Sequence, residues 1–231
     1  MGTSLQSRVT SAMDPAATPS SKRENKVTRR SLSLRLRPLR RKELPIDTES
    51  LARFLIGKTL VRETSRGRIV ARIVETEAYV LGDSACHGFR GPTPRNRSLL
   101  LKRGHAYVYF IYGMHFALNV SAGAPGEGTG ILIRALEPIE GIALMQRNRR
   151  TKNPHELAKG PGRLAEALQI DKRLDGVDLC AAGPLWLGDA LCPTAPIASS
   201  KRIGITKEIH RPLRFYEQGN TYVSGPKRLN Q

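Results

Sequence analysis

Two carboxylates two residues apart, a histidine soon after them and a knot of tyrosines are the groups in this chain best suited to chemistry. Glu75 and Glu77 lie in IVETEAY (73–79), His87 follows, and YVYFIYGMHFALNV (107–120) carries Tyr107, Tyr109 and Tyr112. Seven of the twelve aromatic residues fall between Tyr79 and Phe116, so stacking surface is concentrated in one stretch. Residues two apart on a strand point the same way, which puts Glu75, Glu77 and Tyr79 on one face, spaced roughly 6–7 Å apart. Two acids and an aromatic on one face suit the edge of a pocket. A solvent-facing strand with ordinary surface acids fits the same alternation, and spacing alone leaves both readings open.

The tyrosine run alternates too. Tyr107, Tyr109 and Ile111 point one way, and Val108, Phe110 and Tyr112 the other. A strand buried on both faces is the plain reading for Val108, Phe110 and Ile111. A buried tyrosine needs a partner for its hydroxyl, so Tyr107 and Tyr109 suit the floor of a polar-edged pocket. Gly113 and Met114 break the run, which predicts a tight hairpin between 106–112 and 115–121 with Tyr112 at its tip. An apolar tip on a basic protein suits insertion between stacked bases.

Elements that must hold these residues can be read around them. Asp47 and Thr48 cap a short helix with Leu51, Phe54 and Leu55 as its apolar face and Gly57 as its stop. Strands are expected at 58–63 and 68–79, joined through Ser65-Arg66-Gly67, and again at 129–136. A long loop, 80–102, contains Thr93-Pro94-Arg95-Asn96-Arg97. Helices are expected at 140–149 and 163–168, and short strands at 185–187, 202–206 and 213–217. Strands with short connections and helices between groups of strands imply an α+β fold. The sheet should be curved and largely antiparallel, flanked by helices, with a protruding β-hairpin. Residues 1–42 read as a disordered basic tail, and 43–231 as one folded domain.

Formal net charge is +18, from 38 Lys/Arg against 20 Asp/Glu. The tail holds eleven Lys/Arg and two Asp/Glu, so about half of the excess belongs to the body. A basic body attracts phosphate backbones. The tail fits a flexible arm, an over-extended start with Met13 as the true initiator, or an organellar transit peptide. The expected location is bacterial cytoplasm, or the nucleus in a eukaryote. Three scattered cysteines without a C-x-x-C pair predict neither a disulfide framework nor a metal centre. No apolar run reaches bilayer-spanning length, and no membrane association is expected.

The stretches IVETEAY, TPRNR, YVYFIYGMHFALNVS, LIRALEP, KGPGRLAEAL and RPLRFY, in that order, resemble the alkyladenine (3-methyladenine) DNA glycosylase family. The resemblance covers Leu44 to about Gly225 and leaves out the tail. It implies a monofunctional enzyme that flips alkylated or deaminated purines out of duplex DNA and hydrolyses the N-glycosidic bond. Carried over by position, Glu77 is the base that activates water, and Arg134 stands behind the water and the purine. Tyr79, His87, Tyr107 and Tyr109 pack around the flipped base, and Asn119 crowds the exocyclic amine of normal guanine. Tyr112 takes the place of the extruded nucleotide, with Met114 beside it at the hairpin tip.

The chemistry suits these roles. N-glycoside cleavage develops a cationic sugar, which a carboxylate stabilises while it deprotonates water. Stacking on electron-rich rings favours a charged base. From Gly67 to Ser121 the only lysine is Lys102, so no amine nucleophile stands beside Glu77 and strand cleavage is not expected. Arg90, Arg95, Arg97, Lys102 and Arg103 form a basic loop that is either solvated or set against phosphates. The expected partner is double-stranded DNA containing a damaged purine, bound by a monomer without metal or organic cofactor. The alternatives are a non-catalytic nucleic-acid-binding protein with the same fold, and a hydrolase of another N-glycoside.

Overall fold

The computed structural model describes residues 36–111, 113–226 and 230. The first helix, α1 (Thr48–Leu55), begins where Asp47 Oδ2 accepts the Ser50 N–H at 2.8 Å. Leu51, Ala52 and Leu55 are buried, as the helical spacing predicts. Gly57 follows in the left-handed region at φ 85° and turns the chain into the sheet.

Eight strands follow: β1 (Thr59–Thr64), β2 (Gly67–Tyr79), β3 (Ala106–Ile111), β4 (His115–Ala122), β5 (Thr129–Glu140), β6 (Leu185–Gly188), β7 (Ile197–Ser200) and β8 (Arg214–Glu217). The order is β3-β4-β5-β2-β1-β6, β8 also pairs with β2 and β7, and every pairing is antiparallel. Strand β2 is long enough to use two neighbours on one side. It pairs with β1 over 67–72 and with β8 over 75–77. On its other side β5 runs along nearly all of it, with register shifts around Glu75. Such irregularities re-aim side chains, and this one lies where the two acids sit.

Helices α2 (Ile142–Arg149) and α3 (Pro161–Ala167) complete the α+β fold. Met145, Leu164 and Leu168 join Leu51, Leu55, Ile73 and Ala78 in one core, so helices and the curved sheet form a single domain. The outer end of the β3–β4 hairpin leaves that core. Burial falls along β3 from Ala106 to Ile111, and Phe110, expected to be buried, is exposed and packs edge-on against Phe116.

Two further expectations change. Residues 202–206 form no strand; the short strand lies earlier, at Ile197–Ser200. The Ile203 N–H is used by a side-chain carboxylate instead of a neighbouring strand, and Gly204 turns the chain at φ 78°. Residues 36–42, grouped with the tail in sequence, pack on the body, while 1–35 lie outside the described residues. The Leu39 N–H donates to the Leu187 carbonyl at 2.8 Å and its side chain is buried in the core. Leu39→Ala is therefore expected to cost about 2–5 kcal/mol of stability in urea denaturation. A loss below about 0.5 kcal/mol would return this segment to the tail.

Candidate active site

Strand alternation on β2 places Glu75, Glu77 and Tyr79 together, facing Arg134 of β5. Arg134 Nε donates to Glu75 Oε1 at 2.9 Å, and Arg134 Nη1 lies 3.2 Å from Glu77 Oε1. The Tyr79 hydroxyl donates to Glu77 Oε2 at 3.0 Å. Thr76, on the opposite face, donates to the Ala52 carbonyl of α1. Neither acid is a surface group, for both are completely buried.

Their environments differ. Glu75 accepts from Arg134, from Arg214 Nε at 2.7 Å and from the Ser224 N–H at 2.6 Å. Burial alone would raise its pKa, but the two guanidiniums and hydrogen bonding to Ser224 outweigh it and hold this carboxyl below the usual range. Glu77 has one guanidinium, the Ile203 N–H at 2.7 Å and the Tyr79 hydroxyl. Burial dominates there, and the neighbouring Glu75 charge adds to it, so the Glu77 carboxyl is pushed above its ordinary value. Two like residues on one face are thus driven apart, one a fixed anion and the other a group ready to take a proton.

A cavity of about 350 Å³ opens in front of them. Tyr79, Arg134 and Ile203 line it, and each also holds Glu77, whose carboxylate sits just behind that wall. His87, Tyr107, Tyr109 and Asn119 line it as well. Tyr107 and Tyr109 stack with ring centres 5.0 Å apart, and His87 meets Tyr109 edge-on at 4.5 Å. His87 Nδ1 and the Tyr107 hydroxyl are hydrogen-bonded at 2.9 Å, so the buried phenol has its partner. Desolvation of the imidazole, then the charge of Arg95, keeps His87 below its ordinary pKa and neutral. Asn119 faces Tyr107 across the β3–β4 ladder, and its amide nitrogen is buried without a partner among the described residues. An orphan donor on a cavity wall is a ready point for a ligand acceptor.

The structure therefore brings Glu77, Arg134, Tyr79, His87, Tyr107, Tyr109 and Asn119 to one place. Met114 stands apart, 71 % exposed at the hairpin tip. Tyr112 lies outside the described residues, so its expected position at the tip has no structural account.

Other participants escaped the sequence reading. Ile203 orients Glu77 through a backbone N–H, which no side-chain pattern announces. Arg202 is buried against the Tyr79 ring, 4.6 Å from its centre, and paired with Asp83, tying two chain segments together under the cavity. Arg214 sits inside RPLRFY, so a motif marked it without giving its role. Of the basic loop, Arg95 bends over the cavity, its guanidinium 5.9 Å from the Tyr109 ring centre, and Arg103 is tied to the Leu44 carbonyl. Among the described residues no group of three His, Cys, Asp or Glu is arranged to hold a metal ion.

The family model described as methylpurine-DNA glycosylase matches residues 42–221. A Mesorhizobium japonicum protein with the name "Putative 3-methyladenine DNA glycosylase" is 59 % identical over 84 % of this chain and 93 % of its own length. Proteins with the same name from Paraburkholderia phytofirmans and Methanoculleus marisnigri are 48 % and 46 % identical, over 87 % and 77 % of this chain and 94 % of each relative.

Proposed function

The chain belongs to the methylpurine-DNA glycosylase family, and on that premise we propose that it is a monofunctional DNA glycosylase acting on damaged purines. The observation that carries this reading is a buried carboxylate of raised pKa, Glu77, set behind the wall of an aromatic cavity large enough for one flipped purine. A water at that wall attacks C1′ of the flipped nucleotide. Its proton passes to Glu77, its oxygen bonds to C1′, and the C1′–N9 bond breaks with its electron pair leaving on the base. The products are a free purine and an abasic site. Oε2 of Glu77 accepts from the Tyr79 hydroxyl, so rotation of one phenol opens the carboxylate to the cavity.

Arg134 anchors both acids and keeps Glu77 oriented as its charge changes. Tyr79, His87, Tyr107 and Tyr109 enclose the base, each stacked base–aromatic contact being worth roughly 1–3 kcal/mol against the few kcal/mol that flipping costs. Asn119 meets the base edge, and Tyr112 and Met114 enter the duplex.

The test is release of free base and formation of abasic sites on duplexes carrying one modified purine each. On a 7-methylguanine duplex the base leaves without needing a proton, so only Glu77 should titrate. Its raised pKa places the rising limb of rate against pH above the ordinary carboxylate range, flat beyond it. A protein that binds these duplexes and frees no base would be the non-catalytic alternative.

A further inference from the structure

We propose that Arg95 is a specificity-determining residue that biases the cavity against cationic purines and toward neutral ones such as hypoxanthine. This inference rests on the glycosylase reading given above.

The argument is a charge balance. Behind the cavity wall, the described residues set Arg134 and Arg214 against Glu75 and Glu77, two cations facing two anions once Glu77 is ionised. Beneath Tyr79, Arg202 is balanced by Asp83. His87 adds no charge of its own, because desolvation, and after it the charge of Arg95 itself, lowers its pKa. Among the described residues no carboxylate lines the cavity. Arg95 does line it, and among the described residues no carboxylate forms an ion pair with it. Its Nη2 donates to the Phe110 carbonyl at 3.3 Å, which fixes the guanidinium at the cavity without neutralising it. One uncompensated positive charge therefore faces whatever enters.

The tyrosine rings reinforce the bias. Cation–π attraction is the usual reason for a stacked pocket to favour a charged base. Here a guanidinium already lies against Tyr79, and another against Tyr109. Those rings have less attraction left for a cationic purine, while their stacking with a neutral one is unaffected.

Arg95 is exposed, so its replacement should leave the fold intact. The readout is the ratio of second-order single-turnover rates, 7-methylguanine duplex over hypoxanthine duplex, corrected for spontaneous loss. Any weakening of phosphate contact lowers both rates and cancels in the ratio. R95Q is expected to raise the ratio by about tenfold at low salt, the effect of removing one unit charge a few ångströms from the base. R95K, which keeps the charge, should stay within about twofold of the parent. An unchanged ratio in R95Q would reduce Arg95 to a phosphate contact and overturn the proposal, as would an equal shift in R95K. If the unaltered protein frees neither base, the glycosylase reading itself fails, a result distinct from an unmoved ratio.

Discussion

Glu77→Gln is expected to slow base release by about 10³-fold, the middle of the range that general base catalysis supplies, while the variant folds and binds duplex like the parent. The amide is nearly isosteric. Its oxygen can still accept the Ile203 N–H, and its nitrogen can donate to the Tyr79 hydroxyl in place of accepting from it. What it cannot do is take a proton from water. Stability should hold or rise, because ionising Glu77 is unfavourable in the fold. A carboxyl whose pKa is raised on folding weakens the native state as pH climbs above the unfolded value, and glutamine removes that penalty. Activity would thus be traded against stability at one residue. Single-turnover release from hypoxanthine and 7-methylguanine duplexes, read beside urea denaturation at pH 7, measures both. Release within tenfold of the parent would mean that another group handles the water's proton.

How far that site could be read in advance depended on the range of the signals. Alternation along one strand is local, and it put Glu75, Glu77 and Tyr79 on a common face. It did not choose between the acids. The choice came from the family resemblance; the structure adds only that the two carboxylates have unequal numbers of cations around them. Of those cations the resemblance named Arg134, but Arg214 was not legible. Arg214 and Ser224 lie some 140 residues downstream of Glu75 and reach it only through β2–β8 pairing and the chain beyond β8. The segment at 202–206 reads as a strand by composition, yet its role is to spend a backbone N–H on Glu77. Leu39 is hidden for another reason. One apolar residue in a basic run gives no periodicity, and only the edge of β6 shows what it packs against. Arg95 sat in a loop whose charge was plain and whose direction was not.

Glu75→Gln should have the opposite signature, a loss of about 3–5 kcal/mol in stability. Arg134 and Arg214 are buried, and Glu75 is the carboxylate they share. Without it Arg134 retains Glu77, but the Nε of Arg214 faces a neutral amide in a site that water does not reach. Taking the shared charge from two buried guanidiniums is costly, and two hydrogen bonds to a charged acceptor become neutral ones. The pH dependence separates this from simple loss of packing. The folded-state pKa of Glu75 is lowered, so its stabilisation is present above the unfolded carboxylate value, about 4.3, and is lost as pH falls through the folded value. The difference between parent and E75Q should accordingly be full at pH 7, still present at pH 5, and narrow only in more acidic solution. Urea denaturation of both proteins between pH 3 and pH 7 would show it. A difference below about 1 kcal/mol at pH 7 would mean that the two arginines find other partners. It would also remove the ground for treating Glu75 as the fixed anion that leaves Glu77 free to act as base.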